Sequence, residues 1–357
     1  MAGNGAKDPI SRRAFAGTAS ALVTSLLALR ATGQAIGGAQ SSSALASSAL
    51  ASSASASSLS ASNAGASGSA QSSESTSLVT QTDVNRLTTQ VFVNGKGPYK
   101  FIVDTGAERS VLSDTLVAEL GLTPSGKAEV QGLILKVATD LVTIDELKYG
   151  KFSKQGLKVP VLHRGELGAD GCLGLDIING TRVTFDFKDE VIRIQRAGLA
   201  VAPDFGTTVV VVHGTGKGGR LRSNQCTVDG VDTTAFIDTG SEATIGNLAL
   251  LKAMSPADHP DLGVAQLSGA TGGDATGRFT PVKRIQIQGL IFENGTMVIS
   301  DVPDFDQWGI DAKPAVLIGM DYLRKFASLT IDYRRKEITF ELAKLQLDKR
   351  PPKVIVS

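Results

Sequence analysis

Metal and thiol chemistry have little to work with in this chain of 357 residues, which holds two cysteines, three histidines and one tryptophan. Cys172 and Cys226 are too few for a disulfide scaffold and too far apart for a zinc site; two separate buried thiols are expected. His163, His213 and His259 are scattered, with no second ligand at metal spacing, so neither a metal nor another cofactor is implied. Charge of one sign is also lacking. The formal net charge is +1, without the basic footprint that nucleic acid requires. Long apolar runs are missing too. The best candidate, residues 14–29, is shorter than the ~20 residues that cross a bilayer and is closed by Arg30.

What the N-terminus does hold is an address. Ser11-Arg12-Arg13-Ala14-Phe15 is similar to a twin-arginine export motif, a modestly apolar stretch follows, and Gly33 and Ala35 supply small residues for cleavage. Residues 1–35 are read as a twin-arginine-type signal peptide, which implies a periplasmic or secreted protein. Left uncleaved, the same segment would be a membrane anchor; a plain exposed basic helix is the bland alternative. Residues 36–79 are nearly all Ser, Ala and Gly and are expected to be a disordered linker, because they cannot bury enough apolar surface to offset chain entropy. A tail, 348–357, is expected to fray.

Between these ends the chain repeats itself. Asp104-Thr105-Gly106 and Asp238-Thr239-Gly240 each end an apolar run, Phe101-Ile102-Val103 and Ala235-Phe236-Ile237. Upstream of each lies a strand–turn–strand pattern around Asn94-Gly95 or Asp229-Gly230. Downstream, residues 113–120 read as a helix capped by Ser113 and stopped by Gly121, and residues 247–254 as a helix stopped before Pro256. Each unit closes on an apolar strand and a glycine, Gly174 or Gly319, followed by Asp176 or Asp321 and then by Asp186 or Asp332. The interval from Gly174 to Gly319 is longer than that from Asp104 to Asp238, so the second copy carries extra residues between its Asp and its closing Gly. The expected place for them is residues 303–313, read as a loop around Trp308. The two units span 80–200 and 201–347.

Two such units on one chain resemble the retropepsin-like aspartic peptidases, in a single-chain bacterial form. The resemblance implies a mainly β fold of two homologous β-barrel lobes with short helices, related by a pseudo-twofold axis. It also implies a peptide or protein substrate and a monomer that needs no partner to complete its site. Asp104 and Asp238 become the catalytic carboxylates: two such groups face to face share one proton and activate a water between them. Thr105 and Thr239 would bond across the lobes, Gly106 and Gly240 would allow the tight turn, and Gly174 and Gly319 would let the closing strands pass close by. Ser241 can offer a hydroxyl to a carboxylate where Ala107 cannot. Asp238 is therefore expected to be the more acidic member, with the proton on Asp104. A peptide-binding module without turnover is the alternative from another class.

Other features take structural readings. Gly132, and more clearly Gly272 and Gly273, mark candidate flaps over a cleft, with ordinary hairpin turns as the alternative. The Gly-rich stretch 214–219 lacks the Ser or Thr of a phosphate loop and is read as a hairpin tip. Asp176, Asp186, Asp321 and Asp332 are assigned to solvent-side or turn roles, and Arg334-Arg335-Lys336 to a solvated turn.

Overall fold

Each lobe is started by a hairpin whose turn the sequence dictates. Asn94 and Gly95 have φ of 51° and 76°, and Asp229 and Gly230 have 47° and 85°. Positive φ at both central residues is the turn that matches strand twist, and Asn-Gly and Asp-Gly tolerate it best. The turns join Arg86–Val93 to Lys96–Val103 and Arg222–Val228 to Val231–Ile237. The structure is a computed structural model. It describes residues 86–197, 209–215 and 220–342, with short strands at Ser20–Leu22, Leu27–Arg30, Ser75–Val79, Thr82–Asp83 and Ile355–Val356. Most of the expected signal peptide, linker and tail lies outside the described residues. No helix among the described residues is long and apolar enough to cross a membrane.

The second strand of each hairpin loses its polar face as it nears the motif: Phe101, Ile102 and Val103 are all buried, as are Ala235, Phe236 and Ile237. Each face meets its own apolar cluster, with Phe101 and Val103 in one and Ile102 in another, and a closing strand pairs along the edge. Gly171–Leu173 runs parallel to Phe101–Val103, and Ala315–Ile318 parallel to Thr234–Ile237. The helices follow their caps. Ser113 accepts from the Leu116 N–H before Asp114–Leu120, which ends at Gly121 with φ of 69°. Asn247 accepts from the Leu250 N–H before Leu248–Ala253.

Each lobe then forms a long hairpin, Pro124–Gln131 with Lys136–Tyr149 and Val264–Gly269 with Asp274–Ile287. The equivalent second strands begin at Lys136 and Asp274, already slightly farther apart than the two Asp. The extra residues of the second copy are therefore split. The smaller share lies in the link after the helix, and the larger lies before the closing strand. The latter segment is also not all loop, because Pro303–Gln307 is helical.

A six-stranded sheet joins the lobes, in the order Val209–His213, Glu337–Glu341, Ser328–Asp332, Thr181–Asp186, Val191–Arg196, Ser75–Val79. Its central strands are antiparallel, with Thr184 opposite Thr330 and their hydroxyls 2.9 Å apart. The outer strands Ser75–Val79 and Val209–His213 are separated by the same interval as the two Asp. The end of the expected linker, Ser75–Val79, thus belongs to the repeat. The aspartates here serve turns, as one of their two expected roles had it, Asp186 accepting from Asp189 N–H and Asp332 from Arg335 N–H at 3.0 Å each, and they also form ion pairs. Asp332 is buried and accepts from Arg182 of the other lobe at 2.8 Å, while Asp186 accepts from Arg193 at 2.6 Å. A carboxylate between two central strands must be paired to remain there.

Candidate active site

The two Asp-Thr-Gly turns meet at the lobe boundary and are locked reciprocally. Thr105 N–H donates to Thr239 Oγ1 at 3.2 Å and Thr239 N–H to Thr105 Oγ1 at 3.0 Å. Each hydroxyl in turn donates to a main-chain oxygen of the other lobe, Thr105 to Ile237 at 3.0 Å and Thr239 to Val103 at 2.8 Å. Both threonines are buried, so each bond replaces water that cannot enter.

Asp104 and Asp238 sit one residue before these threonines and are 0% and 1% exposed. Their main chains are fixed by the closing strands: Asp104 N–H donates to Leu173 O and Asp238 N–H to Ile318 O, both at 3.0 Å. Gly106 and Ala107 N–H donate to Asp104 Oδ1 at 2.7 and 3.0 Å, and Gly240 N–H to Asp238 Oδ1 at 2.8 Å. Asp104 Oδ2 is buried and meets no N–H or O–H donor among the described residues. Burial first, then the charge of Asp238, pushes the Asp104 carboxyl well above its ordinary range; the Gly106 and Ala107 amides only partly oppose this. Two buried carboxyl groups that repel in this way favour a state in which the pair carries a single negative charge.

The hydroxyl of Ser241 does not provide the expected contact. It donates to Ala243 O at 2.8 Å, within its own turn. Ser241 and Ala107 nevertheless occupy equivalent places, since the Met320 N–H donates to Ser241 O and the Leu175 N–H to Ala107 O, each at 2.8 Å. Gly174 and Gly319 precede those donors. A Cβ on Gly174 would lie 2.6 Å from the Arg109 carbonyl carbon, and one on Gly319 would lie 2.6 Å from that of Ala243.

Sequence reasoning missed four contacts made by three further pairs of equivalent residues. Asp176 accepts from Ser110 N–H and Oγ at 2.8 and 2.7 Å, and Asp321 from Thr244 N–H and Oγ1 at 3.0 and 2.7 Å. Both aspartates therefore brace the loops behind the motifs, rather than taking the solvent-side or turn role expected of them. Burial raises both carboxyls, that of Asp321 to about 6. Across the lobes, Arg86 Nε lies 3.3 Å from Glu242 Oε1, and Arg220 Nη2 lies 3.1 Å from Glu108 Oε1. Arg220 Nε also donates to Gly106 O at 3.2 Å. One signal was available for all of these: Ser110 and Thr244, Arg86 and Arg220, and Glu108 and Glu242 are each spaced as the two Asp are.

The long hairpins bring their tips together. Gly132 lies against Thr271 of the other lobe, whose Oγ1 donates to Leu135 O at 2.6 Å. Gly272 and Gly273 turn the second tip at φ of 81° and 84°, a conformation that favours glycine. Leu133 packs in an apolar cluster with Phe236 and Leu317 of the second lobe, while Ala270 packs with Ile102 and Cys172 of the first. Cys172 and Cys226 are separate buried free thiols. Among the described residues no group of His, Cys, Asp and Glu could hold a metal ion.

No curated protein matches the chain. A family model described as aspartyl protease matches residues 89–177 and 224–322, one stretch around each Asp-Thr-Gly and together just over half of the chain. With a repeated motif, crossed threonine bonds and a buried carboxylate pair in the two matched stretches, the chain belongs to the aspartyl protease family.

Proposed function

We propose that this protein is an exported aspartic endopeptidase of the retropepsin-like, single-chain bacterial kind, with two barrel-type lobes and a cleft between them. The observation that carries this reading is the buried pair of Asp104 and Asp238 on two turns locked by crossed threonine bonds. Ionised Asp238 takes a proton from a water placed between the carboxylates. Protonated Asp104 donates a hydrogen bond to the carbonyl oxygen of the peptide, stabilising the charge that develops as the hydroxide adds. The carboxyl pair then returns a proton to the leaving nitrogen. The threonine bonds and main-chain donors hold both groups before substrate arrives, so no reorganisation is needed during the reaction.

The substrate is an extended peptide or protein segment, bound by its main chain along the flap strands and sorted by side-chain pockets. One chain carries both carboxylates, so the active species is a monomer, which gel filtration checks. The deciding experiment is digestion of a peptide library from acid to neutral pH, with Asp104→Asn and Asp238→Asn beside the wild type. Each variant is expected to lose at least about a hundredfold in rate, the usual scale of acid–base groups, while melting near the wild-type temperature. Equal cleavage by either variant, or none by the wild type at any pH, defeats the reading; peptide binding without cleavage would leave a binding module.

A further inference from the structure

The outer edges of the two flaps are already occupied. In each long hairpin the first strand, Pro124–Gln131 or Val264–Gly269, pairs on one side with the second strand of its hairpin. Its other side is a sheet edge, whose N–H and C=O groups template pairing with an extended chain. Both edges hold the same N-terminal segment. Ser20–Leu22 runs parallel to residues 129–131, with Ala21 opposite Val130. Leu27–Arg30 runs antiparallel to residues 266–269, with Leu29 opposite Leu267.

The two registers fit one chain laid across a pseudo-twofold axis. Strands related by such an axis run in opposite directions past a chain that crosses it, so one contact is parallel and the other antiparallel. Both senses occur here. The segment runs towards the tip along the first flap and away from the tip along the second. The pairing falls at equivalent places, just before the tips at Gly132 and Gly272, and four residues, 23–26, join the two pieces. The tips are bonded to each other through Thr271 and Leu135. They also pack on the strands that lead to the carboxylates, Ala270 with Ile102 and Leu133 with Phe236.

We propose that residues 20–30 are an intramolecular competitor of the substrate: they take the main-chain positions along both flaps and keep the full chain self-inhibited until they are removed. A tether raises the local concentration of the segment, so weak pairing is sufficient. Cleavage after Ala35 would remove the occupant together with the export signal, and one cut would clear both flaps. This inference rests on the peptidase reading and supplies its regulation.

Proline tests the pairing within the full chain, because it has no N–H to donate and fits poorly in a paired strand. The double variant Ala21→Pro/Ala28→Pro is compared with the wild type and with Ala46→Pro, which lies in the Ser- and Ala-rich stretch outside both paired pieces. An occupant present about nine-tenths of the time lowers apparent affinity about tenfold. Initial kcat/KM on a peptide substrate is therefore expected to rise about tenfold in the double variant and to stay unchanged in Ala46→Pro. A synthetic peptide of residues 20–30, added to the double variant, is expected to raise KM without changing kcat. In an Asp238→Asn background a labelled substrate peptide, followed by anisotropy, is expected to bind about tenfold more tightly when the two prolines are present. Equal rates and equal binding in the folded double variant and the wild type would overturn the proposal, as would a 20–30 peptide that fails to compete. Those results leave the peptidase reading standing. Cleavage by no form at any pH, with the tighter binding intact, would defeat the peptidase reading and leave the occupied edges standing.

Discussion

Ser241 has the right type and position to serve the Asp238 carboxylate, yet its hydroxyl bonds Ala243 O. The direction of a hydroxyl depends on which acceptor its own turn presents, and that acceptor is not encoded in the tripeptide. Burial and the charge of Asp238, rather than a serine hydroxyl, push the Asp104 carboxyl above its ordinary range. Asp321 shows the same physics outside the dyad. Burial raises its carboxyl from 3.8 to about 6, so the folded chain holds this proton more tightly than the unfolded chain does. The stability it contributes is full below about pH 4 and is lost as pH rises through about 6. The shift corresponds to about 3 kcal/mol, as an order of magnitude. Asp321→Asn keeps an acceptor for Thr244 and removes the titration. Thermal melts across the acid-to-neutral range are expected to fall more steeply with pH for the wild type than for this variant. Parallel curves would show that the carboxyl does not titrate in that window.

Elements were legible where local chemistry decided them. The Asn-Gly and Asp-Gly turns, the Ser113 cap and the Gly121 stop could all be read in advance, because each depends on a few adjacent residues. The helix at Pro303–Gln307 was not, since so short a segment gives no useful period and is held by packing of Phe305 and Trp308. The closing glycines act between elements. At Gly174 and Gly319 an added Cβ meets main-chain carbonyls of the turn beyond the motif, which no rotamer change can move aside. Gly319→Ala is expected to lower stability by about 1–3 kcal/mol and to cut cleavage sharply, because the strain falls on the loop after Asp238. Gly95→Ala, at positive φ but with open space around the Cβ, is expected to cost only about 1 kcal/mol and to leave turnover near normal. Urea midpoints and kcat for the two variants, measured side by side, check the contrast.

At the scale of the whole molecule, two lobes are held by the six-stranded sheet, the threonine bonds and a pair of ionic contacts in matching places. The ionic contacts are chemically equivalent but differently buried. Arg86 and Glu242 are 6% and 2% exposed at their side chains, against 17% and 37% for Arg220 and Glu108. Removing one partner of a buried pair costs about 3–5 kcal/mol, while exposed pairs contribute about 0–1 kcal/mol. Arg86→Leu is therefore expected to destabilise the protein by several kcal/mol, and Glu108→Gln by less than about 1 kcal/mol. Denaturation midpoints that move equally would contradict the difference in burial.

The sequence by itself determined the repeat, the two carboxylates, the hairpin turns and the helix caps, all of them set by neighbours within a few residues or by a fixed spacing. Tertiary structure decided what depends on distant groups meeting. It set which oxygen each hydroxyl finds and how far burial raises Asp104 and Asp321. It also set which of two matching ion pairs is sealed from water, and it placed the one tryptophan beside Phe236. Desolvation and charge act through space, and the spacing of the repeat shows which residues are equivalent without showing what surrounds them.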